Sequence, residues 1–201
     1  MLAYYLSRYC KKIKNLKART LINTKALSTK RNNVLLRKAG FVINGSPYIT
    51  APFFFEFGNI TIEDNVYINS GCVFLDNEHI SIGQDSLIGP NVTLSTVTHP
   101  VSPSSRNEAV IKKTIILGKN VWLGAGVVVL PGVSIGDNSV VAANSIVNKD
   151  VPANCLYAGS PAVFKRNLGT KISLLHTTQL PGCRNRQRLP LRYKSASHHR
   201  P

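Results

Sequence analysis

The chain has 201 residues, with 25 Lys/Arg against 9 Asp/Glu and a formal net charge of +16. This length suffices for one domain with a sizeable core, and no run of about 18 apolar residues is available to span a membrane. The charge is segregated: residues 1–40 and 165–201 contain no acid, whereas residues 41–164 hold every Asp and Glu and only 5 Lys/Arg. The middle is therefore mildly acidic, and basicity at the two ends does not by itself indicate nucleic-acid readout. The ends lack interleaved aromatics beyond Tyr4, Tyr5, Tyr9 and Tyr193, so no specific nucleic-acid partner is expected.

Residues 1–42 read as a basic helical cap. Leu2, Leu6, Tyr9, Ile13 and Leu16 fall near one face, with Arg8, Lys11, Lys12 and Lys14 largely elsewhere. Such a segment suits peripheral contact with an anionic membrane surface or a cover for the open end of a solenoid; the cover is the expectation. From Ile43 a rhythm of six takes over. Aliphatic or aromatic residues recur at Ile62, Ile68 and Phe74, then at Ile82, Ile88 and Leu94. The series resumes at Leu117, Leu123, Val129, Ile135, Val141 and Val147. The fifth position is small or β-branched, as at Val66, Cys72, Ser86, Val92, Val121, Val127, Val133, Ser139, Ser145 and Val151. A helix needs apolar spacings of three and four, and a lone strand a spacing of two. A sustained period of six is the mark of a parallel β-helix, in which three hexapeptides make one coil.

The first coil is led by Ile43, Ile49 and Phe55. Two extra residues precede Ile82. The rhythm breaks over residues 100–113, which read as an excursion loop of the kind that carries specificity. The coils resume at Leu117 and end near Pro152. Residues 153–168 are expected to leave the β-helix, with a short helix from Ala162 to Leu168 after Pro161. Residues 169–201 have the composition of a disordered basic tail. Cys10, Cys72, Cys155 and Cys183 are scattered, which suggests free thiols in a reducing, cytoplasmic setting rather than a disulfide framework or zinc knuckle.

Several stretches together resemble the galactoside/maltose O-acetyltransferase group of hexapeptide acyltransferases. They are Asn65-Val66-Tyr67-Ile68-Asn69, Ile82-Gly83 through Thr98-His99-Pro100, Asn120-Val121-Trp122-Leu123-Gly124-Ala125, Pro131 through Asn138, and Lys149-Asp150-Val151-Pro152. The resemblance covers about residues 50–168, and Thr-His-Pro before an excursion followed by Asn-Val-Trp is its most specific part. It implies a left-handed parallel β-helix over residues 43–168, a homotrimer with active sites between subunits, acetyl-CoA as co-substrate, and a sugar or glycan acceptor.

The residue roles follow from that resemblance. His99 matches the family's general base. A neutral imidazole suits the task because its ordinary pKa of about 6.5 leaves it mostly unprotonated at pH 7. Asn69 matches the amide that supports the transition-state oxyanion. Glu56 and Tyr67 match acceptor-contacting positions. Asp76 and Asn77 occupy the stretch holding a sugar-binding carboxylate, and which of the two serves is open. Trp122, Ala125, Ala143, Asn148 and Lys149 match coenzyme-contacting positions. Where the family often has Arg, this chain has Val163, with Lys165 or Arg166 as substitutes.

The cap departs from the family's acidic helical segment, which suggests an acidic or lipid-linked glycan at the cytoplasmic membrane face rather than a simple galactoside. No metal is expected, since a zinc site of the carbonic anhydrase type needs three histidines and the repeat region offers His79 and His99. A non-catalytic trimeric scaffold or glycan-binding module is the alternative.

Overall fold

A computed structural model describes residues 12–169. The sequence readings for residues 1–11 and 170–201 lie outside the described residues. The cap is two helices, α1 (Asn15–Thr24) and α2 (Thr29–Lys38). The first coil follows as β1 (Val42–Ile43), β2 (Tyr48–Ile49) and β3 (Phe53–Phe55). The second is β4 (Ile60–Ile62), β5 (Tyr67–Ile68) and β6 (Cys72–Leu75), and the third β7 (Ile80–Ile82), β8 (Leu87–Ile88) and β9 (Thr93–Ser95). An antiparallel pair, β10 (Val97–Thr98) and β11 (Ile111–Lys112), forms the stem of the excursion. The fourth coil is β12 (Ile115–Leu117), β13 (Trp122–Leu123) and β14 (Val128–Val129), and the fifth β15 (Ser134–Ile135), β16 (Val140–Val141) and β17 (Ile146–Val147). The described chain ends in β18 (Cys155–Ala158) and β19 (Val163–Asn167).

Each coil contributes one strand to each of three parallel sheets, so the molecule is a three-sided β-helix. The first sheet stacks β1, β4, β7, β12 and β15; the second runs from β2 through β5, β8, β13, β16 and β18; the third stacks β3, β6, β9, β14 and β17. Every aliphatic at the start of a hexapeptide from Ile62 to Val147 points inward and is at most 1% exposed. The fifth-position residues are buried beside them. Corners between strands require left-handed backbone, and Asn65, Asn91, Asn120, Asn138 and Asn144 supply it, since Asn tolerates that region better than other side chains. Their amides also stack: Asn120 donates to Asn138, and Asn138 to Asn154.

The cap closes the open edge of the first coil with side chains. Asn23 exchanges two hydrogen bonds with the backbone of Phe53, imitating a neighbouring strand. Arg19 lies over the Phe54 ring at 4.6 Å and donates to the Phe55 carbonyl. Arg37 donates to the carbonyls of Ile43 and Gly45. Ala18, Leu21, Ile22, Leu35 and Leu36 bury against Phe41, Phe53 and Phe55. An exposed edge is a template for unwanted pairing, and part of the N-terminal basicity is consumed in covering it.

Three sequence expectations need correction. Leu16 does not share a buried face with Ile13: it is 69% exposed, because Ala18, Leu21 and Ile22 take the core side of α1. Residues after Pro152 do not all leave the β-helix, since β18 adds a parallel strand to β16. The helix expected over Ala162–Leu168 is instead strand β19, which turns back antiparallel on β18. Its edge pairing satisfies backbone groups that a seven-residue helix would leave mostly unpaired.

The extra residues between the second and third coils are explained by Asp76. Its carboxylate is fully buried. It accepts from the backbone N–H groups of Glu56 (2.6 Å), Phe57 (3.1 Å) and Asn59 (2.7 Å). It thereby fixes the corner of the coil above. Asp76→Ala is expected to lower the unfolding free energy by about 3 kcal/mol, because three backbone donors lose a buried, charged acceptor; chemical denaturation measures this, and an unchanged midpoint would contradict it.

Burial pushes the Cys72 thiol up to about 11, against weaker opposing hydrogen bonds from Val92 and Asn91. A buried neutral thiol is a poor nucleophile. Cys72 is expected to resist iodoacetamide at pH 8 in the folded protein and to react on unfolding, as read by peptide mass mapping.

Candidate functional site

The second sheet carries an outward-facing column. Strand register sets Tyr48 beside Tyr67, Tyr67 beside Leu87, Leu87 beside Trp122, Trp122 beside Val140, and Val140 beside Leu156. These side chains alternate with the inward aliphatics, as the two-residue period of a strand demands. Tyr48 and Tyr67 are stacked, with centroids 5.6 Å apart and planes at 2°. Trp122 is 53% exposed, so it is not an anchor packed between coils of its own chain.

A groove of about 660 Å³ runs along this column, and its other wall is the corner between the second and third sheets. Asn69, Gly89, Gly124 and Ala142 follow one another down that corner, with Pro90, Ala125 and Ala143 beside them. The smallness has a packing cause. A Cβ on Gly124 would stand 2.5 Å from the Ala143 amide nitrogen, and one on Gly89 would stand 2.8 Å from that of Ala125. Side chains are thus excluded where coils touch, and the same exclusion leaves a bare track beneath Asn69. The Asn69 side-chain oxygen, Oδ1, accepts from the Ser70 N–H at 2.8 Å. That bond turns the amide so that its NH₂ has no protein acceptor among the described residues.

The remaining expected residues lie at a different corner, between the third and first sheets. His99 sits on the excursion that leaves this corner after β10. Its Nδ1 is 3.0 Å from the Arg106 carbonyl oxygen. A carbonyl oxygen only accepts, so Nδ1 carries a proton and donates, and in the neutral ring Nε2 keeps the lone pair. Arg106 in turn donates from its guanidinium to the Val101 carbonyl at 2.8 Å, closing the loop that brings its own carbonyl to His99.

On the same corner, Asn77 donates to the Glu56 carboxylate. Asp76 holds the backbone of Glu56, as described above, and its oxygens face amides rather than the surface. Of the two residues left open by the sequence, Asn77 is therefore the partly exposed one, and the accessible carboxylate of the pair Glu56–Asn77 is Glu56. The sequence offered no signal for this exchange, since it depends on which side chain turns inward at an irregular corner. Asn148 borders a cavity of about 320 Å³ beside Thr98, Ile111 and Lys113, at the excursion stem. Lys149 follows it and is exposed.

One chain thus separates the expected residues into two sets. Tyr67, Asn69, Trp122, Ala125 and Ala143 share the groove, whereas Glu56, Asn77, His99, Asn148 and Lys149 share the other corner, across the width of the third sheet. Residues 163–167, read from sequence as a helix, extend the groove face instead. Arg166 pairs with Leu156, a groove residue, whereas Lys165 falls at the irregularity in the β18–β19 ladder. No cluster of three or more His, Cys, Asp or Glu side chains suited to a metal occurs among the described residues.

Residues 114–149 match the family model for the bacterial transferase hexapeptide, six repeats. The chain is 43% identical to a galactoside O-acetyltransferase of Lactococcus lactis over 137 residues, 67% of this chain and 66% of that protein. It is 36% identical to the galactoside O-acetyltransferase of Escherichia coli over 164 residues, 79% of this chain and 81% of that protein. The chain spans about two thirds of the first relative and four fifths of the second.

Among solved structures, it is similar to a hexapeptide-repeat acetyltransferase of Vibrio cholerae complexed with acetyl-coenzyme A. The TM-score is 0.73 at 37% identity, over 78% of this chain and 86% of that one. It is also similar to a galactoside acetyltransferase in complex with coenzyme A, with a TM-score of 0.72 at 35% identity over 79% and 81%. The three-sided solenoid is the left-handed β-helix of these enzymes. The stacked coils agree with this similarity: the chain belongs to the hexapeptide-repeat acetyltransferases, the acyltransferase family that includes the galactoside O-acetyltransferases.

Proposed function

We propose that this protein transfers the acetyl group of acetyl-CoA to a hydroxyl of a sugar or glycan, working as a homotrimer in the cytoplasm. The observation that carries the reading is the hydrogen bond from His99 Nδ1–H to the Arg106 carbonyl, which leaves Nε2 free to accept a proton. The acceptor hydroxyl gives its proton to Nε2 as its oxygen bonds to the thioester carbonyl carbon. The developing oxyanion is supported by the Asn69 NH₂, whose orientation the Ser70 amide maintains. The carbon–sulfur bond then breaks, and the departing thiolate takes the proton from the imidazolium, restoring neutral His99.

Coenzyme A lies along the groove in this reading. Trp122 flanks its arm, and Ala125 and Ala143 supply a floor low enough for the pantetheine chain. Arg166, in register with the groove residue Leu156, supports a phosphate contact where Val163 offers none. Asn148 and Lys149 approach from the other corner. Glu56 and Asn77 meet the acceptor hydroxyls with Tyr67, while Asp76 acts as a positioning residue through the backbone of Glu56. Because His99 and Asn69 stand on different corners of one chain, the site is complete only where the His99 corner of one subunit meets the groove of the next.

Two measurements test this. Replacement of His99 by Ala is expected to lower thiol release from acetyl-CoA by about 100-fold or more across a panel of glycosides, with coenzyme binding retained. Full activity in that variant would remove His99 from the mechanism, and absence of coenzyme binding in the wild type would favour a scaffold or glycan-binding module. Separately, His99→Ala and Asn69→Ala chains are each expected to be nearly inactive alone. Co-assembled in equal amounts, they should recover about one quarter of wild-type activity, the random fraction of interfaces holding one intact residue from each side. No recovery would mean that both residues act from the same subunit.

A further inference from the structure

We propose that Phe57 is the platform on which the pyranose ring of the acceptor lies, so that a sugar is selected by its apolar C–H face as well as by its hydroxyls. This rests on the acceptor site proposed above and adds an apolar residue to it. Phe57 follows Glu56 in the turn between β3 and β4, on the corner that carries Asn77 and the His99 excursion. It is 59% exposed. Phe41, Phe53, Phe55 and Phe74 are buried instead, Phe54 lies beneath Arg19, and Phe164 meets Tyr157 edge-on. No described aromatic ring packs on Phe57, so its face is open.

The turn that presents this ring is held from three directions. The buried Asp76 carboxylate accepts from the N–H groups of Glu56, Phe57 and Asn59. Asn15 Nδ2 donates to the Glu56 carbonyl at 2.9 Å. Gly58, with φ at +80°, lies against the cap, where a Cβ would stand 2.2 Å from the Ala39 carbonyl oxygen. The turn's amides thus point at an interior group, and the side chains of Glu56 and Phe57 leave it on the solvent side. There Asn77 donates to one Glu56 carboxylate oxygen. The other oxygen and Asn77 Oδ1 have no protein donor among the described residues, and both accept from sugar hydroxyls. A ring face beside two fixed acceptors matches the two surfaces of a pyranose, C–H groups on its face and hydroxyls round its edge. Because the turn is already rigid, binding costs little ordering there. Corner turns of successive coils are about 4.8 Å apart. Two such steps separate Phe57 from the excursion, a span that one pyranoside covers together with the His99 side chain.

The test is equilibrium binding to the full-length protein of methyl β-pyranosides of galacto, gluco and manno configuration, each against the open-chain alditol of the same configuration. The wild type is expected to bind at least one pyranoside about tenfold more tightly than its alditol. Phe57→Ala should remove that ring preference and leave alditol binding unchanged, whereas Phe57→Tyr should retain it. Equal binding of every pair by the wild type, no binding of any pyranoside, or a ring preference that survives Phe57→Ala overturns the proposal. Sedimentation velocity on Phe57→Ala checks the other use of an exposed aromatic, and dissociation into smaller species would overturn the proposal in favour of packing between subunits. Parallel thiol-release assays separate the two readings. A ring preference carried by Phe57 with no acetyl transfer to any sugar would defeat the proposed function alone, and transfer without a ring preference would defeat only this extension.

Discussion

Backbone hydrogen bonds between coils are the constraint on which the rest of this molecule depends. The Tyr67 N–H donates to the Ser86 carbonyl, Leu87 to Val121, and Trp122 to Ser139. Each bond ties a strand to the same side of the next coil, so inward residues stack on inward residues and outward on outward. The interior then fills with a continuous ladder of Ile, Leu, Val and Phe, whose removal from water is the dominant favourable term. The same bonds oblige the outside to form columns as well. The groove and the aromatic column are by-products of the register that builds the core.

Departures from the repeat are where chemistry collects. The second-to-third coil corner is lengthened, and Asp76 reaches from it to hold the preceding corner, which fixes the backbone of Glu56. The excursion after β10 leaves the solenoid through a two-residue antiparallel stem, and its carbonyl at Arg106 sets the tautomer of His99. A regular coil could provide neither feature, because its polar backbone is already committed to neighbouring coils. A rigid solenoid makes both affordable, since a local irregularity at one corner is held by intact coils above and below.

The two ends of the β-helix are treated differently. At the first coil, helices α1 and α2 cover the edge using Asn23, Arg19 and Arg37 as surrogate strand partners. At the last coil, β18 and β19 fold back as a hairpin and leave Arg166 beside the groove. Among the described residues of the cap, Arg19 and Arg37 satisfy carbonyls of the open edge, whereas Lys25 is exposed.

The six-residue rhythm by itself determined the architecture. Inward positions from Ile62 to Val147, the small fifth positions and the break at the excursion were all legible, because burial in a solenoid repeats with the chain. The residue types at Asn69, His99 and Trp122 were legible through their resemblance to a family.

Three matters were decided only by the tertiary structure. The columns were one, since Tyr48, Tyr67, Leu87 and Trp122 stand at unequal separations along the chain and align only once the insertions are placed in corners. The burial of Asp76 against the exposure of Glu56 was another, because hydrogen bonds across an irregular turn choose between neighbouring carboxylates. The last was the C-terminal strand, where pairing with β18 overrode a local pattern that read as helix. In each case the sequence names a residue type, and a partner distant along the chain decides which way that residue faces.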